Sequence, residues 1–180
     1  MLKTLFLNPP SFDGFDGGAG SRYQARREIK SFWYPTWLAQ PAALIPDSTL
    51  IDAPPHDIGL EEALGASTTH ELVVIHTSTP SLRNDIRVVQ EIKRRKPETL
   101  VGFVGAHVAV LPEETLQACP ELDFVARREF DFTIKEIAEG NPLADVVGIS
   151  YWDRAKNKVI HTPERPLVTN MDELPFVVNV

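Results

Sequence analysis

The chain has 180 residues, with 18 Lys and Arg against 25 Asp and Glu, so its formal charge is −7; 43% of its residues are hydrophobic. That composition describes one globular domain large enough to bury its own core, and it excludes a nucleic-acid binder built on a basic face. One cysteine, Cys119, excludes a disulfide framework, a protein-held iron–sulfur cluster and a structural zinc knuckle, and it fits a reducing, cytoplasmic setting.

Taken in chain order, short apolar runs alternate with helix-like stretches up to about residue 140, the pattern of a parallel sheet with crossover helices. Five runs read as strands: 2–7, 49–52, 72–75, 100–104 and 123–126. Their near-continuous Val, Ile, Leu and Phe content suits burial on both faces. The segment 35–44 reads as a helix kinked by Pro41. Leu82, Ile86 and Val89 recur at helical spacing, with Asn84 and Asp85 in the first turn, 93–96 basic in the last, and Pro97 as the stop. Another helix opens at Pro112 with Glu113 and Glu114 at its positive end. A third runs from about Glu129, presents Phe130, Ile134 and Ile137 on one face, and ends at Gly140.

After residue 147 the pattern changes. Residues 148–152 and 158–161 flank a polar turn and read as a β-hairpin, and 163–180, with Pro163, Pro166 and Pro175, reads as an extended linker. The expected layout is an α/β unit over 1–147, a hairpin over 148–162 and a linker over 163–180. No apolar run approaches the roughly 18 residues of a membrane span, and no signal-peptide pattern opens the chain.

In an open α/β sheet the ligand site lies beyond the carboxyl ends of the strands. The loops there begin Asn8-Pro9-Pro10-Ser11, His76-Thr77-Ser78-Thr79-Pro80, Gly105-Ala106-His107 and Arg127-Arg128-Glu129. The glycine-rich stretch 14–20 lacks the Gly-Lys-Ser/Thr ending of a phosphate-binding loop, and Tyr23 stands where a dinucleotide fingerprint needs glycine or alanine. His76 replaces the phospho-accepting aspartate of a receiver domain, and there is no nucleophile elbow. No catalytic and no metal-ligating residue is assigned.

In this order and spacing the loops resemble the N-terminal cobalamin-binding domain of radical S-adenosylmethionine (SAM) enzymes. The resemblance rests on Asn8 to Pro10, on Thr77 to Thr79, and on Gly105-Ala106-His107 leading to Pro112-Glu113-Glu114. It continues through the hairpin at Gly148 to Tyr151 and the segment Asp172 to Pro175. Segments 17–23, 32–41 and 124–127 are similar, more narrowly, to the hopanoid-biosynthesis-associated member of that family.

The resemblance implies a flavodoxin-like, doubly wound five-stranded sheet with a C-terminal hairpin, and cobalamin held by Asn8, Pro9, Pro10, Thr77, Ser78, Thr79, Gly105, Ala106, His107 and Glu129. It also implies a radical SAM catalytic domain as partner, S-adenosylmethionine and a [4Fe-4S] cluster in that other domain, and a hopanoid lipid as the parent enzyme's substrate.

Some of these residues have a second reading: Gly105 and Ala106 as a tight turn, Ser78 and Thr79 as helix capping, His107 as a solvated loop residue. The cobalt-coordinating Asp-x-His-x-x-Gly motif is missing after the first strand. The similar stretch from Asp52 to Gly59 has the wrong spacing and follows the second strand, so it is read as coincidental. His76 is expected to serve the core. The aromatic cluster Phe32, Trp33, Tyr34 and Trp37 suits core, domain docking or a lipid-facing wall, and Arg22, Arg26 and Arg27 a solvated helix face.

Overall fold

A computed structural model describes residues 1–12 and 35–177. The glycine-rich stretch 14–20, the segment 17–23, the arginines at 22, 26 and 27, and the aromatics at 32–34 lie outside the described residues.

Five parallel strands form the centre: β1 (Thr4–Asn8), β2 (Thr49–Asp52), β3 (Leu72–His76), β4 (Leu100–Val104) and β5 (Phe124–Ala126). Two antiparallel strands, β6 (Ile149–Asp153) and β7 (Lys158–His161), extend the same sheet in the order β2-β1-β3-β4-β5-β6-β7. The hairpin is therefore continuous with the sheet, Ser150 lying opposite Val125 and Tyr151 opposite Ile160.

Strand alternation sorts the apolar side chains into two cores. Leu5, Leu7, Val73, Ile75, Val101, Phe103 and Val125 face one side. They pack there on α2 (Leu60–Ser67), α3 (Leu82–Arg95), the short α4 (Ala106–Val110) and α5 (Pro112–Ala118). Phe6, Leu72, Val74, Val104, Phe124 and Ala126 face the other, against α1 (Thr36–Ala43) and α6 (Asp131–Ala138). This is the flavodoxin-like, doubly wound α/β arrangement. Gly102 is a packing residue: a Cβ there would lie 2.1 Å from the ring of Phe124, its partner on β5.

All five expected parallel strands are present to within two residues. The helix at 82–95 buries Asp85, Val88, Val89 and Ile92, with Leu82 and Ile86 half-buried at the margin. Gly140 takes φ +90 just after α6, the left-handed stop that glycine permits. Pro41 sits inside α1. Helix α4, with five residues, is too short to show a period, and α2 buries only Ala63 and Leu64 as apolar positions, too few to mark a face.

The segment after β7 lies along the domain. Gly148 N–H donates to Pro163 O at 2.7 Å, Arg165 bonds Thr133 and Glu136 on α6, and Gln40 Nε2 on α1 donates to Pro175 O at 2.9 Å. No helix among the described residues is long and apolar enough to cross a membrane.

Candidate functional site

The order in which strands are added reverses between the parallel β1 and β3: β1 connects outward to β2 on one side, while β3 flanks it on the other. The crevice at such a reversal, above the carboxyl ends of the strands, is where open α/β sheets bind ligands. The loops after β1, β3 and β4 meet there.

Asn8 ends β1 and is 1% exposed. Its Nδ2 donates to Asp52 Oδ1 at 2.5 Å, and its Oδ1 is buried without a partner among the described residues. Pro9 and Pro10 follow in the loop. Thr77, just beyond β3, donates from its backbone N–H to Val104 O at 2.9 Å and from its hydroxyl to Asp85 Oδ2 at 2.6 Å. That hydroxyl is committed to the protein, since Thr77 is fully buried. Ser78 turns toward Ser81, with its N–H and hydroxyl both 3.0 Å from Ser81 Oγ. Thr79 is exposed, and its Oγ1 lies 3.0 Å from His107 Nδ1, a contact that joins the β3 and β4 loops.

Gly105 has φ +119, and a Cβ there would stand 2.4 Å from Thr77 O and 3.0 Å from His76 Nε2. Backbone conformation and internal crowding thus demand glycine with or without a ligand. Ala106, the first residue of α4, is exposed and carries no such constraint. His76 ends β3 half-buried, with its ring centroid 5.3 Å from that of Trp37 at 43°. Trp37 Nε1 is buried without a partner among the described residues.

Glu129 sits apart from this group. Its Oε2 accepts the N–H of Val168 at 2.7 Å, Arg127 Nη2 donates to Thr162 O, and Arg128, at φ 56, pairs with Glu164 at 2.9 Å. The loop after β5 is tied to the segment 162–168. The stretch after β2 touches the group at Asn8, which bonds Asp52 and accepts the N–H of Ala53, while His56 is exposed in a short 3-10 turn.

Asp85 was legible only as a first-turn acid favourable to the helix dipole. The structure buries it to 1% exposure beneath the site, and desolvation raises its pKa to about 6 against the opposing hydrogen bonds of Thr77, Ser81 and Asn84. The available signal was its spacing, because positions 85, 88, 89 and 92 form one helical face with a lone acid among apolar residues.

The residues that meet at the crevice are uncharged and suit a neutral, polar ligand. Hydroxyls from Ser78 and Thr79, the unpartnered carbonyl oxygen of Asn8 and the small side chain of Ala106 offer hydrogen bonds and room without a fixed charge. Among the described residues no group of three or more His, Cys, Asp and Glu is arranged to hold a metal ion.

Comparison with known proteins agrees with this chemistry. The family profile described as the B12 binding domain matches residues 25–138. An uncharacterized methyltransferase of Pyrococcus horikoshii is 33% identical over 192 aligned residues; the alignment takes in 98% of this chain but only 38% of that protein.

Proposed function

The chain belongs to the B12-binding domain family, and from that premise we propose that it holds cobalamin over the carboxyl ends of β1, β3 and β4. The observation that carries the reading is the meeting of three loops bearing small and hydroxyl side chains at the reversal point of the sheet. When bound, cobalamin supplies a cobalt centre for group transfer. The protein's part is to bind and orient. Ser78 and Thr79 hydrogen-bond the ligand's polar periphery, Asn8 Oδ1 accepts one of its amide hydrogens, and Pro9, Pro10, Ala106 and His107 border the crevice. Thr77 and Glu129 act indirectly, Thr77 through Asp85 and Glu129 through the segment it holds.

The parent enzyme in this reading is a radical SAM enzyme acting on side-chain-bearing hopanoids, with this domain as its cofactor-holding module in the cytoplasm. Support comes from the ordered motifs at 8–10, 77–79, 105–114 and 172–175, and for hopanoids from the stretches 17–23 and 32–41. The relative named a methyltransferase supports group transfer as the broader chemistry. Reductive cleavage of S-adenosylmethionine needs a three-cysteine cluster loop, and this chain has one cysteine, so the module by itself is inert.

One observation favours a second reading, a docking or substrate-gating domain that binds no cobalamin: the loop after β5 is tied to 162–168 by Arg127, Arg128 and Glu129 and does not open toward a ligand. Titration with hydroxocobalamin separates the two. The cofactor reading expects a saturable change in the visible spectrum with roughly micromolar or weaker affinity. It also expects Ala106→Phe to weaken that binding at least several-fold with an unchanged unfolding midpoint. Absence of both heat and spectral change on titration leaves the docking reading in its place.

A further inference from the structure

The first turn of α3 reaches across the crevice and grasps the loop that follows β1. Asn84 does this with both ends of its amide: Oδ1 accepts the N–H of Phe12 at 3.0 Å, and Nδ2 donates to Pro10 O at 3.2 Å. One residue turn along the helix, the guanidinium of Arg87 lies over the Phe12 ring, 4.0 Å from its centroid. Asn84 belongs to the β3 side of the crevice and Pro10 and Phe12 to the β1 side, so these contacts span the gap in which a ligand would sit.

Two features make this a device for holding distance and not a chance surface contact. The paired contacts read a donor and an acceptor two residues apart on the backbone, which fixes both the orientation of the amide and the path of the loop. The helix turn that carries Asn84 is itself anchored from beneath, since Asp85 takes the hydroxyl of Thr77 at 2.6 Å and Asn84 Nδ2 lies 3.4 Å from Asp85 Oδ1. The chain of contacts runs from the end of β3 through Asp85 and Asn84 to the loop after β1.

We infer that Asn84 is a positioning residue that sets the width of the crevice between the β1 and β3 loops, and through that width the fit of the ligand. The inference takes its ligand from the cobalamin reading, whereas the clamp itself is a property of the free chain. Losing both amide contacts lets the Pro10 to Phe12 loop drift from the β3 side, which opens the site and loosens only the packing of Phe12 at the margin of one core.

The test uses the 180-residue chain and its Asn84→Ala and Asn84→Asp variants in two measurements. Amide hydrogen exchange at Phe12 in the free chain reads the clamp. It is expected to speed up in Asn84→Ala and to stay slow in Asn84→Asp, which keeps the acceptor. Visible-spectrum titration with hydroxocobalamin reads the fit, with affinity expected to fall about ten-fold in Asn84→Ala and by less in Asn84→Asp, both variants still unfolding in one cooperative transition. Unchanged exchange at Phe12 in Asn84→Ala overturns the clamp. Faster exchange with undiminished affinity overturns its role in fit. Should the unaltered chain leave the hydroxocobalamin spectrum unchanged, the cobalamin reading and the role in fit both fail, and exchange at Phe12 still decides whether Asn84 holds the crevice. Should Asn84→Ala not fold, exchange and affinity in Asn84→Asp decide: a slow Phe12 amide with moderately weaker binding supports the inference, and binding equal to that of the unaltered chain overturns it.

Discussion

At the scale of single residues, Asp85 is the group whose chemistry departs furthest from its position in the sequence. Burial keeps its proton on up to about pH 6 in the folded chain, whereas the ordinary value is 3.8. The folded state therefore binds more protons than the unfolded state between those values, and this group's contribution to stability is full below about pH 4 and lost as the pH rises through about 6. The loss amounts to about 3 kcal/mol. His70 works the other way: its burial lowers its pKa, so its contribution is present above 6.5 and lost on acidification. Subtracting the urea-unfolding curves of Asp85→Asn from those of the unaltered chain isolates the aspartate. The difference is expected to favour the unaltered chain progressively as the pH is taken from about 7 to about 4.5, and a difference that does not change with pH refutes the assignment. The residue was hidden from sequence reading because a helix N-terminus already accounts for an acid in its first turn. Gly105 illustrates the converse. The sequence marks it as small, and only the coordinates reveal that the crowding comes from Thr77 O and His76, so its smallness says nothing by itself about a ligand.

At the scale of elements, the parallel strands were readable because strands buried on both faces are apolar without interruption, and the hairpin because a polar turn separates two alternating runs. What escaped was the seam. Nothing local to 148–161 shows that β6 pairs antiparallel with β5, a three-residue strand whose other neighbour is parallel. The path of 163–177 was equally hidden, since a proline-rich segment without a period gives no pattern to follow. Its attachment depends on few groups, chiefly Arg165, whose guanidinium is held by Thr133 Oγ1 at 2.7 Å and by Glu136. Arg165→Ala is expected to raise the rate of limited proteolysis between 163 and 177 several-fold, with the global unfolding free energy changed by no more than about 1 kcal/mol. Unaltered cleavage means that the other contacts suffice. The aromatic cluster shows a different limit: of its four members only Trp37 lies among the described residues, where it packs on His76.

At the scale of the whole molecule, the three layers enclose Cys119 completely, and burial pushes its thiol up to about 12. The reactive thiolate is then scarce in the folded chain, and the sulfur is reached only when the domain opens. Labelling by a thiol-specific reagent in increasing urea is expected to follow the loss of helical circular dichroism, one transition by both probes; rapid labelling in native buffer contradicts the enclosure. The fold class was legible from the alternation of elements alone. The site was legible as a set of loops, because carboxyl ends of strands are found by counting strands. Which of their side chains are free was not, because Thr77 and Glu129 are taken up by groups 8 and 39 residues further along.

The interior place of β1, beside the edge strand β2, has its own consequence for how the chain comes into being. Leu5, Phe6 and Leu7 are wholly buried, and the register that covers them on one edge pairs Thr4 with Leu72 and Leu7 with Ile75. During synthesis β1 must wait for some seventy further residues, at about 5–20 residues per second, before its inner neighbour exists. Until then a strongly apolar strand stands open on that edge, and a nascent chain halted short of β3 is a natural client for a chaperone.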